Sequence, residues 1–256
     1  MNIASHVRRL AAATSALAAA GLALAAAAGA TPTVTVKARA VPIPGVPGTG
    51  NILGAGAAIQ GEATISGTEY GGSPPPLIGI EVFTPAGTKV HPQGFATCAP
   101  SVLEKSGPEA CPKRSIAGAK GFATGVVSFG GERVPETASV WCFFAPGGGL
   151  VAFIDGTSPA LIEMLTTVHV TTAPPPFGLE FSGQVPLIET VPGALDASTV
   201  GGTLKFGAAY RQGNKTISYV TLPNSCPKGG WHGKVLLTFL GGTSSETSVQ
   251  MPCPRK

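Results

Sequence analysis

The chain has 256 residues, with 17 Lys and Arg against 13 Asp and Glu, and a charged fraction of 12% beside 43% hydrophobic residues. This composition excludes the high-charge disordered class. The basic residues, densest at Lys113-Arg114 with Lys120 nearby, are too sparse for the stripe that nucleic-acid binding needs.

The first segment carries a targeting pattern. Arg8-Arg9 is followed by an apolar, alanine-dominated run from Leu10 to Ala28, and Ala28-Gly29-Ala30 supplies the small-x-small site of signal peptidase. Residues 1–30 are therefore predicted to be a secretory signal peptide, with the exported protein starting at Thr31. Without Arg8 and Arg9, fifteen basic residues face thirteen acidic ones, a net charge of +2. No Cys follows the cleavage site for a lipid anchor, and no later stretch approaches the roughly 18 apolar residues of a membrane span. The expected location is secreted and extracellular, with non-covalent cell-wall association left open.

Period-two alternation then recurs to the end of the chain, the mark of half-buried strands. Val34, Val36, Ala38 and Ala40 alternate with Thr33, Thr35, Lys37 and Arg39. Ile59, Gly61, Ala63 and Ile65 alternate with Gln60, Glu62, Thr64 and Ser66. Similar patterns run near 77–83, 165–172, 179–187, 202–210, 216–222, 234–240 and 246–251. More uniformly apolar runs at 122–129, 139–145 and 150–154 read as strands buried on both faces. Pro146-Gly147-Gly148-Gly149 and Gln212-Gly213-Asn214-Lys215 are predicted turns between paired strands.

Residues 42–50 read as a Pro/Gly linker after an N-terminal strand, and the glycines of 48–56 as its flexible continuation. Short helical turns are predicted after Pro100, stopped by Gly107, and from Ser158-Pro159 through Met164. Pro174-Pro175-Pro176 is a candidate lobe boundary. The expected fold is all-β, an antiparallel β-sandwich of immunoglobulin-like or jelly-roll-like type, over residues 51–256, with room for lobes at 51–173 and 178–256.

Five cysteines lie in the exported part, an odd number that allows fifteen two-bridge arrangements. Cys98 and Cys111 flank a Pro/Gly-rich stretch inside 84–120, the longest region without clear strands, where a bridge would tie down the excursion. Cys226 and Cys253 each adjoin a Pro and enclose the last two strands. Each closure would stabilise by about 3 kcal/mol in the chain-entropy model. Cys142, in Val140-Trp141-Cys142-Phe143-Phe144, reads as a buried free thiol.

Ile80–Gly87, Gly94-Phe95-Ala96-Thr97-Cys98, Gly107-Pro108-Glu109-Ala110-Cys111-Pro112, Leu222–Gly230 and Val249-Gln250-Met251-Pro252-Cys253-Pro254 resemble a group of uncharacterised secreted β-rich actinobacterial proteins with paired Cys-Pro motifs. The resemblance spans most of 75–256 and implies two cysteine pairs, one in each half, with Cys142 outside the pattern. It implies no activity and no functional residues.

The chain has no Gly-x-Ser-x-Gly nucleophile elbow, no His-Glu-x-x-His zinc motif and no phosphate loop opening a helix. No cofactor or metal is expected, because the histidines are scattered and two-residue Cys spacing is missing. Glycoside hydrolysis needs only two carboxylates about 5–10 Å apart, and Glu132 with Glu136, or Asp155 with Glu163, are the candidates. For binding, Trp231 and His232 follow Lys228-Gly229-Gly230, where a loop could present the indole to a sugar ring. Trp141, in a wholly apolar run, reads as core. The sequence therefore points to a non-enzymatic extracellular or cell-surface binding or structural protein. Its expected partner is a cell-wall polymer, a glycan or another surface protein. The second reading is a secreted polysaccharide hydrolase.

Overall fold

The structure, a computed structural model, describes residues 31–254, so the predicted signal peptide lies outside the described residues. Alternation becomes strand almost wherever it was predicted. In chain order the strands are β1 (Thr33–Val41), β2 (Ala58–Ser66), β3 (Leu77–Pro85), β4 (Lys89–Val90), β5 (Gly118–Phe129), β6 (Glu132–Phe144), β7 (Leu150–Gly156), β8 (Ile162–Thr172), β9 (Phe177–Gln184), β10 (Ser198–Phe206), β11 (Ala209–Gln212), β12 (Lys215–Ser218), β13 (Val220–Thr221), β14 (Trp231–Phe239) and β15 (Ser244–Met251). One α-helix, α1 (Pro100–Ser106), starts with its Pro in the first turn and ends at Gly107, whose N–H returns to Leu103 O.

Eleven strands form one antiparallel sheet in the order β1-β2-β10-β5-β6-β7-β8-β9-β3-β14-β15. The sheet curls until its two edges meet. Thr247 Oγ1 of β15 donates to Val34 O of β1 at 2.8 Å, and Ser245 Oγ donates to Pro32 O. The fold is thus all-β and antiparallel, a single nearly closed sheet. Side chains, rather than a backbone ladder, seal its seam.

The order of the strands interleaves the two expected lobes. β10 lies between β2 and β5, and β3 lies between β9 and β14, so sequence from both sides of Pro174–Pro176 shares one ladder. The Pro/Gly segment 42–56 is likewise no free linker. Ile43 is buried, its N–H bound to Thr49 Oγ1 at 2.9 Å, and Gly54 N and Leu222 N tie 52–56 to the segment before β14. Gly50 adopts φ 75°, and a Cβ there would overlap the Val41 backbone, so only glycine lets this turn close. The turn predicted after Ser158 does not become helix. Ile162 already begins β8, where its side chain is buried on the inner face.

Strands β6 and β7 are covered on both faces, as their apolar runs predict. Outside, Phe143, Val151 and Phe153 pack with Leu103 of α1 and with Cys98. The Cys98–Cys111 bridge (Cα–Cα 5.5 Å) holds this excursion against the sheet, and Cys98 N donates to Phe144 O. The second bridge, Cys226–Cys253 (Cα–Cα 6.1 Å), ties the approach to β14 to the end of β15. Both disulfides fit an oxidising, extracellular environment. Among the described residues no helix is long and apolar enough to cross a membrane.

Candidate functional site: an apolar interior cavity

The inward side chains of a curled sheet must either fill its interior or leave it hollow. Here many are small: Ala38 and Ala40 on β1, Gly61 on β2, Ala123 and Gly125 on β5, Ala138 on β6, Ala152 on β7 and Gly183 on β9. A cavity of about 440 Å³ remains among them, walled by the larger apolar residues of the same faces, such as Ile80, Ile154, Val168, Phe181 and Val235. Gly61 marks open space directly: a Cβ built there meets no atom within 4 Å.

Both ends of the sheet are covered. At the α1 end, Tyr219, Val220 and Leu222 cross the opening, held by Ala57 N to Val220 O, His91 N to Tyr219 O and Leu222 N to Ala55 O. Their side chains are buried, and Val220 and Leu222 face the cavity. Burial pushes the Tyr219 hydroxyl up to about 12. At the opposite end, residues 185–197 run from β9 to β10 as a strap, with Val185, Ile188 and Ala197 lining the cavity beneath it.

Arg133 pins that strap. Its guanidinium donates to Asp196 O (2.8 Å), Ser198 Oγ (2.7 Å) and Ser73 Oγ (3.0 Å), and lies over the Tyr70 ring. Desolvation lowers the Arg133 pKa from its ordinary value, against the opposing pull of Tyr70 and Asp196. Leu187, Val191 and Leu195 of the strap, with Phe129 and Leu161 at the same end, are exposed to solvent.

Polar side chains interrupt the apolar wall at several places, Cys142, Thr166 and Glu136 among them. Cys142, Ala152 and Thr166 sit side by side on β6, β7 and β8 and face inward. Cys142 is a free thiol, 5% exposed, and burial pushes its pKa up to about 12. A thiol held neutral in this way is a poor nucleophile. The Thr166 hydroxyl is buried without a hydrogen-bond partner. Glu136, 5% exposed, accepts from Thr137 N at Oε1 and from Ala160 N at Oε2, both at 3.0 Å.

The residues singled out in the sequence are distributed differently from expectation. Trp231 is the first residue of β14 rather than part of a presenting loop. It is 2% exposed, packs with Leu77, Val235, Val249 and Met251, and spends its indole N–H on Ser225 O at 2.8 Å. Stacking on a glycan from solution is therefore closed to it, and its ring borders the interior cavity instead. The reason is the strand's period: Trp231 shares the face of Gly233 and Val235, whereas His232 takes the outer face and is exposed. Trp141 lies on the outer face of β6, beneath the Lys120 ammonium, and packs beside the cluster under α1.

Neither acidic pair forms a catalytic cleft. Glu136 is buried with both carboxylate oxygens held by main-chain N–H groups, whereas Glu132 is exposed at the start of β6, so the two do not share a cleft. Asp155 and Glu163 face each other across β7 and β8, but on the outer side of the sheet and away from the cavity lining. The sequence reading missed the interior itself. Its signal was the abundance of Ala and Gly at inward strand positions, where a solid core would place Leu, Ile or Phe. Searches of protein-family models, curated proteins and solved structures found no match to this chain.

Proposed function

We propose that this chain is a secreted extracellular binding protein that encloses an apolar small molecule inside its curled sheet. The observation that carries this reading is the cavity of about 440 Å³ with a predominantly apolar lining. Its volume falls in the ligand-pocket range of about 300–1,000 Å³. Water is a poor filler for an apolar space, so a hydrocarbon occupant fits best. Export is supported by the signal pattern in residues 1–30 and by the two disulfides.

Titration of the secreted protein with the neutral dye N-phenyl-1-naphthylamine tests this reading. Saturable one-to-one fluorescence enhancement, reversed by dodecane, is expected. A linear, non-saturating response, together with a solvent extract free of apolar molecules, would overturn it.

A further inference from the structure

Glu136 is a carboxylate buried in the wall of an apolar cavity with no cation beside it. Among the described residues the ion pair found is Lys234–Glu246, on the outside of the sheet. Lys234 borders the cavity, but it alternates with the inward Gly233 and Val235, and its ammonium lies over the Phe83 ring at 4.5 Å. Arg133 is three residues from Glu136 along β6, hence on the opposite face, and is occupied by the strap. Glu136 itself is held on the inner face: its Oε1 lies over Gly156, 3.3 Å from where a Cβ would stand. A carboxylate offers about four acceptor positions, and the Thr137 and Ala160 N–H groups fill one on each oxygen. Further acceptor capacity therefore remains at one end of a hydrocarbon-lined space.

We infer that the enclosed ligand is a hydrocarbon chain bearing a hydrogen-bond-donating head, a hydroxyl or an ammonium, and that Glu136 receives that head. The inference rests on the cavity reading above and adds selectivity to it. A chain ending in a carboxylate meets the like charge of Glu136, and the bordering Lys234 is engaged by Glu246 and the Phe83 ring, whereas an N–H or O–H donor completes an acceptor that is otherwise underused. The unpartnered Thr166 hydroxyl and the neutral Cys142 thiol add no positive charge for an anionic head to meet.

Displacement of N-phenyl-1-naphthylamine from the secreted protein by dodecylamine, dodecanol, dodecanoic acid and dodecane at neutral pH is the test. The amine and the alcohol should displace the dye at concentrations at least about tenfold below the acid, the scale of one hydrogen bond to a charged group. Glu136→Gln should shrink the preference for amine over acid by a similar factor. Equal displacement by acid and amine in the wild type overturns the inference, and this comparison stands even if Glu136→Gln does not fold. Displacement by dodecane with no preference among heads would sink the inference alone. No displacement by any of the four would sink the cavity reading with it.

Discussion

Arg133 Nη1 donates to the main-chain carbonyl of Asp196 at 2.8 Å, joining positions 63 residues apart and fastening the 185–197 strap to the sheet. The guanidinium's fork also reaches Ser198 and Ser73, so one side chain fixes both the end of the strap and the 67–76 loop. Arg133→Ala should cost about 2–3 kcal/mol in urea denaturation, the scale of hydrogen bonds to a charged group. Amide exchange should accelerate selectively across 187–197. Lysine should rescue little, because a single ammonium cannot span partners that the planar fork reaches together. Unchanged protection of the strap in Arg133→Ala would refute this role.

Filling the cavity should separate binding from stability. Gly61→Leu places its side chain in open space at a strand position with ordinary backbone geometry. It should abolish dye binding while raising or preserving the melting temperature, because the added side chain buries apolar area worth about 1.5–3 kcal/mol before strain is charged against it. Loss of stability with dye binding retained would place the open space elsewhere.

Thr166→Val is a second separation. It removes a buried hydroxyl that has no partner and keeps the side chain's shape. A gain of about 1 kcal/mol is expected in chemical denaturation, the relief of an unsatisfied polar group. A loss would mean that the hydroxyl is satisfied in solution.

Trp231 should behave as core. Trp231→Ala should destabilise by about 3–5 kcal/mol, the usual range for a buried aromatic, whereas His232→Ala on the outer face should change stability by less than about 0.5 kcal/mol. Equilibrium urea unfolding of the two variants checks both values. A folded, fully stable Trp231→Ala protein would contradict the indole's burial.

Cys142 gives the protein an alkaline weakness. Its thiol titrates near 9.0 when exposed and at about 12 in the fold, so its contribution to stability is intact below pH 9 and is lost as pH rises from 9 to 12. Between pH 7 and pH 10 that loss is about 1.4 kcal/mol. Tyr219, raised from 10.0 to about 12, adds a smaller loss beginning one unit higher. Cys142→Ala should flatten the decline between pH 9 and 10, as measured by denaturation midpoints. In non-reducing peptide mapping, Cys142 should be alkylated only after unfolding, with Cys98–Cys111 and Cys226–Cys253 recovered as pairs. An equally steep alkaline decline in Cys142→Ala would assign the effect to other groups.

Local chemistry made much of this protein legible from its sequence. Period-two alternation in Thr33–Val41 and Ala58–Ser66 fixes which side chains share a face, because successive Cβ atoms point to opposite sides of a strand. Pro100 and Gly107 mark the ends of α1 by their own backbone preferences. The cysteines bracket Pro/Gly-rich or strand-bounded stretches that a bridge can close, and both expected pairs form. Faces and turns are properties of short segments, so short segments reveal them.

What alternation cannot say is what each face meets. Whether two sheets stack or one sheet curls on itself depends on strand order, and the insertion of β10 between β2 and β5 leaves no local trace. The same ignorance misplaced Trp231, whose two preceding glycines suit an exposed loop as well as the entry to an inward-facing strand position. It also hid the cavity. Ala38, Gly61, Ala123, Ala138 and Ala152 are each unremarkable small residues. Only the closing of the sheet brings their missing volumes together into one cavity, with Glu136 in its wall.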